Sequence, residues 1–384
     1  ARDAILAAGG AASANVFTRI TLALFAQVPW RAVPVMPVEI MLLPNWFPFH
    51  LSKISYWSRT VLVPLLILMA LKPRAKNPRD INIEELFIRK PEEEARYLHN
   101  PTGSAWGELF LGIDKVLRKI EPMLPRTARQ RALKAAVKFI KPRLNGEDGL
   151  GGIFPAMANA VMAFEALGYP KDDPDLLIAK SSIQKLLRLD DEKGFCQPCL
   201  SPIWDTGLVV HSLAEANGSD ETKELNRATT WLAEKQILDV AGDWADNRPS
   251  LRPGGWPFEY ANDYYPDVDD TAVVALALDR MDREKFRENI ERAAEWIVGM
   301  QSKNGGWGSF DADNTYEYLN HIPFADHGAL LDPPTADVTA RCVGMLAQLN
   351  TEKYTSEITR GVEYLKADQE DKGSWFGRWG TNYV

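Results

Sequence analysis

The chain has 384 residues, which is enough for two domains of ordinary size, and 46% of them are hydrophobic, which permits large cores. Its formal net charge of −8 argues against nucleic acid as a partner. Three cysteines are too few, and odd in number, for a disulfide framework, so we interpret Cys196 and Cys199 as free thiols of a reducing compartment.

The first half of the chain, residues 1–199, has few regular patterns. Prolines are dense from Pro29 to Pro48, and a charged stretch from Lys72 to Glu94 is typical of a solvated excursion. The best apolar run, Val61 to Leu71, contains Pro64 and is much shorter than the roughly 20 residues that span a bilayer. We therefore predict no transmembrane helix.

Residues 106–124 have the pattern of an amphipathic helix. Six apolar residues fall near one helical face: Trp106, Phe110, Ile113, Val116, Leu117 and Ile120. Basic residues lie elsewhere on the same helix. The pattern fits a helix that lies flat on a membrane surface, and it fits equally a helix that packs on the protein's own core.

A repeat of about 66 residues organises the second half. Similar amphipathic segments begin at Trp231, Trp296 and Tyr364, and each ends in a glutamine that is followed by a glycine-containing loop and a tryptophan. We place these tryptophans at Trp244, Trp307 and Trp375. Apolar helices begin near Asp205, Asp270 and Asp337, which we interpret as their N-caps. Alternating amphipathic and apolar helices predict an all-α fold of the α/α barrel type.

The acidic segment Asp267–Asp270, DVDD in one-letter code, directly precedes one of these apolar helices. Carboxylates this close together cannot all ionise at low cost in a dry site, so at least one should keep its proton. Five aromatic residues precede the segment: Trp256, Phe258, Tyr260, Tyr264 and Tyr265. A neutral carboxylic acid that faces an aromatic pocket is suited to donate a proton to an apolar substrate.

DVDDTA resembles the DxDD motif of class II terpene cyclases, in the form found in squalene–hopene cyclases. Further segments resemble that family in the same order: Ser201–Gly207, Pro253–Gly255, Tyr264–Pro266, Gln301–Gly308 and Asp332–Pro334. The resemblance runs along the whole chain. It implies two α/α barrels with the active cavity between them, a membrane-facing part at 1–199 and a part with the DxDD motif at 200–384. Because the family extends beyond both ends, we expect a fragment with at least one incomplete barrel.

The resemblance implies that Asp269 is the proton donor and that Asp267 and Asp270 adjust its titration. Asp337 and Arg341 are four residues apart, share one helical face, and belong to a helix that faces the motif in the family. A histidine often occupies the position of Arg341 in the family. Because arginine stays charged in proteins, Arg341 would act only as an electrostatic partner, and a water chain would have to reprotonate Asp269.

Aromatic faces stabilise cations in a dry cavity. By the resemblance, four aromatic residues line that cavity: Trp204, Phe258, Trp57 and Phe310. Tyr265 would help to hold the acidic loop, and Phe324 would gate the substrate channel. We expect no cofactor and no metal, because protonation by a carboxylic acid, rather than ionisation of a diphosphate, starts this chemistry.

The function that these patterns favour is cyclisation of squalene to hopene or hopanol. One alternative is a class II cyclase that acts on another polyprenoid, and another is a non-catalytic, membrane-associated α/α scaffold. The family resemblance further implies a monotopic protein on the cytoplasmic side of the cell membrane, and a homodimer.

Overall fold

The computed structural model of the chain describes residues 1–100, 102–190, 192–217, 222–324 and 330–377. Their α-helices are α1 (Arg2–Ala7), α2 (Val16–Leu24), α3 (Tyr56–Leu71), α4 (Ala105–Ile120), α5 (Arg126–Ile140), α6 (Phe154–Ala166), α7 (Pro174–Leu186), α8 (Pro202–Asn217), α9 (Lys223–Glu234), α10 (Val268–Asp282), α11 (Arg287–Met300), α12 (Ala336–Asn350) and α13 (Thr355–Asp368). A short antiparallel hairpin, β1 (Leu187–Leu189) and β2 (Gly194–Cys196), pairs Leu187 with Cys196. The prediction of an all-α chain is confirmed.

Helices of the second half form two layers. The inner helices α8, α10 and α12 lie side by side, and the outer helices α9, α11 and α13 each pack on the inner helix that precedes them. Burial follows the sequence pattern: α10 is buried around most of its circumference, whereas α11 buries only one face. An apolar helix can be covered on all sides only as an inner helix, so the pattern determines the layer.

The first half has its own core around α3. This helix packs against α5 and α6, and α6 packs against α7. Ser55 caps the start of α3 by accepting a hydrogen bond from the Ser58 backbone N–H. The apolar run Val61 to Leu71 is thus buried inside the protein. A segment from the second half joins this core through Leu319, Phe324, Leu330 and Leu331, so the two halves of the chain interlock.

The glutamine and tryptophan side chains of the repeat tie neighbouring outer helices together. The Gln301 amide donates to the Gly305 carbonyl at 2.8 Å and to the Glu357 carbonyl, in the first turn of α13, at 2.9 Å. The Trp307 indole donates back to Ile297 near the end of α11 at 2.7 Å. Gly305 has φ +92°, and a Cβ there would lie 2.5 Å from a backbone oxygen, which explains the glycine of the motif.

The structure corrects the assignment of Trp244 to this motif. It is Trp256 that donates to the Leu232 carbonyl at 2.6 Å, as Trp307 does to Ile297 and Trp375 to Leu365. The backbone N–H groups of Trp256 and Trp307 also match, because each donates to a threonine hydroxyl of an inner helix. The first repeat therefore carries an insertion between its glutamine and its tryptophan, and Trp244 belongs to that insertion.

The predicted N-caps are also corrected. Asp267, not Asp270, caps α10, because its side chain accepts hydrogen bonds from two backbone N–H groups of the first turn. Thr335 occupies the N-cap position of α12, and Asp337 lies in the first turn. Asp205 lies within the first turn of α8, where it accepts a hydrogen bond from the Ser201 hydroxyl. A carboxylate in a first turn still interacts favourably with the helix dipole.

Helix α4 matches the predicted amphipathic segment, but its apolar residues divide into two groups. Phe110, Ile113 and Leu117 line an internal cavity. A second group is exposed to solvent and continues into the turn that follows the helix: Trp106, Leu109, Val116, Ile120 and Met123. One apolar face of α4 therefore packs inward, and the other is exposed in the described part of the chain.

Candidate active site

The acidic motif forms the N-terminal turn of α10. The buried Asp267 carboxylate accepts the backbone N–H groups of Asp269 at 2.7 Å and Asp270 at 3.2 Å. Its own N–H donates to the Trp256 carbonyl at 2.7 Å. Burial, and then the charge of Asp269, raises the pKa of Asp267 well above its usual range. Asp267 therefore holds the turn together by binding the backbone of Asp269 and Asp270.

Asp269 is the member of the motif that meets a cation. Its carboxylate forms an ion pair with Arg341 of α12, and its side chain keeps 20% of its exposure. Burial raises the pKa of Asp269, whereas the Arg341 guanidinium lowers it. The guanidinium also lies over the ring of Trp204, 5.1 Å from its centroid. Asp337, one turn before Arg341, adds a negative charge that also raises the pKa of Asp269.

Asp270 is the most deeply buried carboxyl group of the motif, with only 1% of its surface exposed. Within the described residues its Oδ1 atom has no hydrogen-bond partner. Burial, followed by the charges of Asp267 and Asp269, raises the pKa of Asp270 well above its usual range. The motif thus places two buried carboxyl groups of strongly raised pKa, Asp267 and Asp270, beside Asp269, whose pKa burial raises and the Arg341 guanidinium lowers, as expected for coupled carboxyl groups.

Four aromatic side chains form a continuous row beside this turn. Trp57 contacts Phe310 edge to face at 5.6 Å, and Phe310 contacts Tyr56 at 4.6 Å. Tyr56 in turn stacks on Tyr265 with ring centroids 3.6 Å apart. The row joins the acidic turn through one backbone hydrogen bond, because the Val268 N–H donates to the carbonyl next to Phe310, that of Ser309, at 2.8 Å.

Tyr265 is held by a polar cluster between the two halves of the chain. Its hydroxyl donates to the Asp243 carboxylate, which also forms an ion pair with Arg143. Arg59 of α3 lies over the Tyr265 ring and binds both carboxylate oxygens of Asp311, at 2.8 and 3.0 Å. The cluster fixes Tyr265 and the Phe310 loop against the first half of the protein.

Two apolar cavities are lined mainly by residues of the first half, and the second of them adjoins the aromatic row at Trp57. The first, of about 420 Å³, is lined by α4 and residues 35–54. The second, of about 550 Å³, is lined by Trp57, α2 and α6. Both volumes are within the roughly 300–1,000 Å³ usual for small-molecule sites. Phe324 and Leu330 line both cavities, so they form the boundary between them. Asp269 lines neither cavity.

The predicted site residues fall into three groups. The first group forms or surrounds the N-terminal turn of α10: Asp267, Asp269, Asp270, Asp337, Arg341 and Trp204. The second group belongs to the aromatic row: Trp57, Phe310 and Tyr265. The third is Phe324, which lies at the cavity boundary. Phe258 is half-buried on the loop that leads to the motif. Phe324 is the last described residue before a gap, because residues 325–329 lie outside the described part of the chain.

Sequence reasoning missed several residues that the structure places beside this site. Tyr56 and Arg59 belong to the largely apolar helix α3. The sequence alone does not indicate that their polar groups face the second half of the chain. Glu259 is 5% exposed and accepts a hydrogen bond from Asn262 at 3.2 Å. Burial raises the pKa of Glu259 to about 8. Its position directly after Phe258, a predicted cavity residue, could have indicated that Glu259 lies near the site.

No group of three or more histidine, cysteine, aspartate or glutamate side chains in the described part of the chain is arranged to hold a metal ion. No helix of the described ranges combines the length and the apolar character needed to cross a membrane.

Comparisons with known proteins identify the family of the chain. The profile of the squalene-hopene cyclase N-terminal domain matches residues 1–192, and that of the C-terminal domain matches residues 200–384. The chain is 55% identical to squalene–hopene cyclase from Zymomonas mobilis and 53% identical to that from Bradyrhizobium diazoefficiens, in each case over 100% of the chain and 60% or 59% of the relative. It is 38% identical to squalene–hopene cyclase from Alicyclobacillus acidocaldarius, over 98% of the chain and 59% of that relative.

The chain spans about 60% of the length of these curated relatives. Among solved structures, ent-copalyl diphosphate synthase from Streptomyces platensis matches 65% of the chain and 43% of its own length, at 18% identity and a TM-score of 0.31, which is too weak to support an argument. The two domain profiles together cover nearly all residues, and they meet between residues 192 and 200. The chain belongs to the squalene–hopene cyclase family of class II terpene cyclases, with the α/α architecture of that family.

Proposed function

We propose that this protein cyclises squalene by protonating a terminal double bond with Asp269. The observation that carries the proposal is the setting of Asp269, a carboxyl group at the N-terminus of a buried helix, beside a permanent cation and two further carboxyl groups of raised pKa. The names of the similar proteins from Zymomonas mobilis and Bradyrhizobium diazoefficiens support squalene as the substrate and hopene as the product.

Protonation of an alkene needs an acid that is undissociated at rest and whose anion is stabilised after transfer. Burial supplies the first property, since it raises the pKa of Asp269. Arg341 supplies the second, because its guanidinium lies beside the carboxylate that forms. Asp267 and Asp270 disfavour any further negative charge in the turn. Protonation of the alkene leaves a tertiary carbocation on the substrate and the Asp269–Arg341 ion pair on the protein.

The carbocation then needs surroundings without water or basic groups. The aromatic row from Trp57 to Tyr265 supplies faces that stabilise a cation by roughly 2 kcal/mol each when desolvated. Trp204 and Phe258 would line the same space. Arg341 lies over the Trp204 ring, which occupies part of that face and leaves the rest for substrate. Phe324, at the boundary of the two cavities, would admit substrate from the first cavity to the second.

Incubation of the purified protein with squalene in D₂O tests the reaction class. A proton from a carboxyl group in exchange with solvent predicts pentacyclic C30 products that carry one deuterium at the carbon protonated first. Parallel incubations with shorter polyprenoids distinguish a squalene cyclase from a cyclase for another substrate. Absence of any cyclic product with all substrates would contradict the proposal and favour the scaffold alternative.

We also propose that the protein attaches to a membrane through the exposed face of α4. That face presents Trp106, Leu109, Val116 and Ile120, and the nearby Trp46 is 77% exposed. The opposite face of the same helix lines the first cavity through Phe110, Ile113 and Leu117, which suits uptake of an apolar substrate from lipid. Co-sedimentation with lipid vesicles should be lost in a Trp46→Ser, Trp106→Ser variant. The cytoplasmic side of the cell membrane and a homodimer stay predictions from the family resemblance.

A further inference from the structure

A loop of three residues, Ser309 to Asp311, contacts the acidic turn, the aromatic row and the first half of the chain. The Ser309 carbonyl accepts the Val268 N–H, the first backbone donor of α10, at 2.8 Å. The Phe310 ring contacts Trp57 and Tyr56. The Asp311 carboxylate binds Arg59 of the first half. Any movement of this loop would therefore displace the acidic turn relative to the aromatic row.

The loop has little regular structure of its own, and one buried side chain, that of Asp332, binds all three of its backbone N–H groups. Asp332 has none of its surface exposed. Its Oδ1 atom accepts the Ser309 N–H at 3.1 Å, and its Oδ2 atom accepts the N–H groups of Phe310 at 2.7 Å and Asp311 at 2.8 Å. The Asp332 N–H in turn donates to the Asn314 side chain at 3.0 Å.

Three donors that point at two oxygen atoms require a carboxylate. An asparagine in the same place would present an NH₂ group to at least one backbone N–H, so a donor would face a donor. The close approach also explains Gly308, because a Cβ there would lie 2.7 Å from the Asp332 carbonyl oxygen. The contacts are specific to aspartate and are not simply a packing interaction.

We propose that Asp332 is a positioning residue for cyclisation, which acts by fixing the Phe310 ring and the N-terminus of α10 in one arrangement. This inference rests on the proposed function, since it assigns Asp332 a role in that reaction. Asp332 contacts neither the acid nor the cation path directly. It acts through the loop of Ser309, Phe310 and Asp311.

The test compares Asp332→Asn with Asp313→Asn in the whole protein. Asp313 lies near the same loop, forms an ion pair with Arg248 and accepts the Lys303 N–H, but it has no contact with the loop's three N–H groups. We expect amide hydrogen exchange in peptides that cover residues 308–312 to be about tenfold faster in Asp332→Asn. We also expect a larger share of incompletely cyclised products from that variant alone.

The outcomes separate the two proposals. Unchanged exchange at residues 308–312 in Asp332→Asn overturns the positioning role, and so does faster exchange with an unchanged product mixture. Equal product changes in both variants also overturn it, because they indicate general destabilisation. A wild-type protein that forms no cyclic product instead overturns the proposed function, and the exchange measurement remains independent of it. If Asp332→Asn does not fold, Asn314→Ala loosens the same anchor and should give the same changes to a smaller extent.

Discussion

Arg341 of α12 forms an ion pair with Asp269 of α10, across the seam between two neighbouring inner helices. The two residues come from successive repeats, so the repeat itself places them together. A cation that cannot lose its proton lies beside the carboxyl group that we propose as the acid. The guanidinium can stabilise the product anion, but it cannot return a proton to it.

Replacement of Arg341 by glutamine should slow cyclisation by about 10²-fold, the usual effect of removing one group that stabilises developing charge. Because Arg341 lowers the pKa of Asp269, its loss should raise that pKa and move the alkaline limb of the pH–rate profile to higher pH. Arg341→Lys should retain part of the rate. Arg283→Gln, at the exposed end of α10, serves as the control. An unchanged rate and profile in Arg341→Gln would remove Arg341 from the mechanism.

Glu259 should make stability depend on pH. Its pKa is about 8 in the folded protein, raised from an ordinary value of 4.5 by burial. The folded state therefore holds a proton that the unfolded chain releases above pH 4.5, so the free energy of unfolding should fall by about 1.4 kcal/mol per pH unit from pH 4.5 to 8. Glu259→Gln should lack this slope, because its side chain stays neutral. Denaturation of both proteins at pH 5, 6.5 and 8 gives the free energy of unfolding at each pH. The same pH dependence in wild type and Glu259→Gln would refute the prediction.

Gln301 should matter for stability and not for product identity. Its amide donates one hydrogen bond to Gly305 in the following loop and one to Glu357 of α13, so Gln301→Ala should lower the free energy of unfolding by about 1–3 kcal/mol. The equivalent Gln369 is exposed and donates to the Gly373 carbonyl, so Gln369→Ala should have a smaller effect. Thermal unfolding together with product analysis tests both points. Equal destabilisation by the two variants would contradict the assignment.

Phe324 should control access and not chemistry. It lines both apolar cavities and packs edge to face on Phe17 at 5.6 Å. Phe324→Leu should widen the boundary, raise kcat/KM for squalene and leave the product mixture unchanged, at a cost of about 1 kcal/mol in stability. Phe47→Leu changes a residue of the first cavity only and is the matched variant. A changed product mixture in Phe324→Leu would place Phe324 in the reaction chamber instead.

The layered helical fold was predictable because amphipathic and apolar helices alternate with the spacing of the repeat. The position of the acidic motif at a helix N-terminus was predictable for the same reason. The place of Trp256 was not, because an insertion separates it from its glutamine and Trp244 lies nearer in sequence. Capping by Asp267 also escaped the sequence, since several neighbouring aspartates suit that role equally and only backbone geometry selects one.

Contacts between the halves were the least predictable part. The sequence places Arg59, Asp243 and Asp311 far apart, and each looks like an ordinary charged residue. Only the folded chain brings them into one buried cluster around Tyr265. Asp332 was visible as part of a family-like segment, but its three backbone hydrogen bonds could not be derived from spacing.

The most direct measurement compares squalene turnover by wild-type protein, Asp269→Asn and Asp263→Asn. Asp263 is an exposed carboxylate in the loop just before the motif, so its replacement changes charge without touching the turn. We expect Asp269→Asn to fold and to turn over squalene about 10²-fold more slowly than wild type. We expect Asp263→Asn to behave as wild type. Wild-type turnover by a folded Asp269→Asn protein would show that another group protonates the substrate.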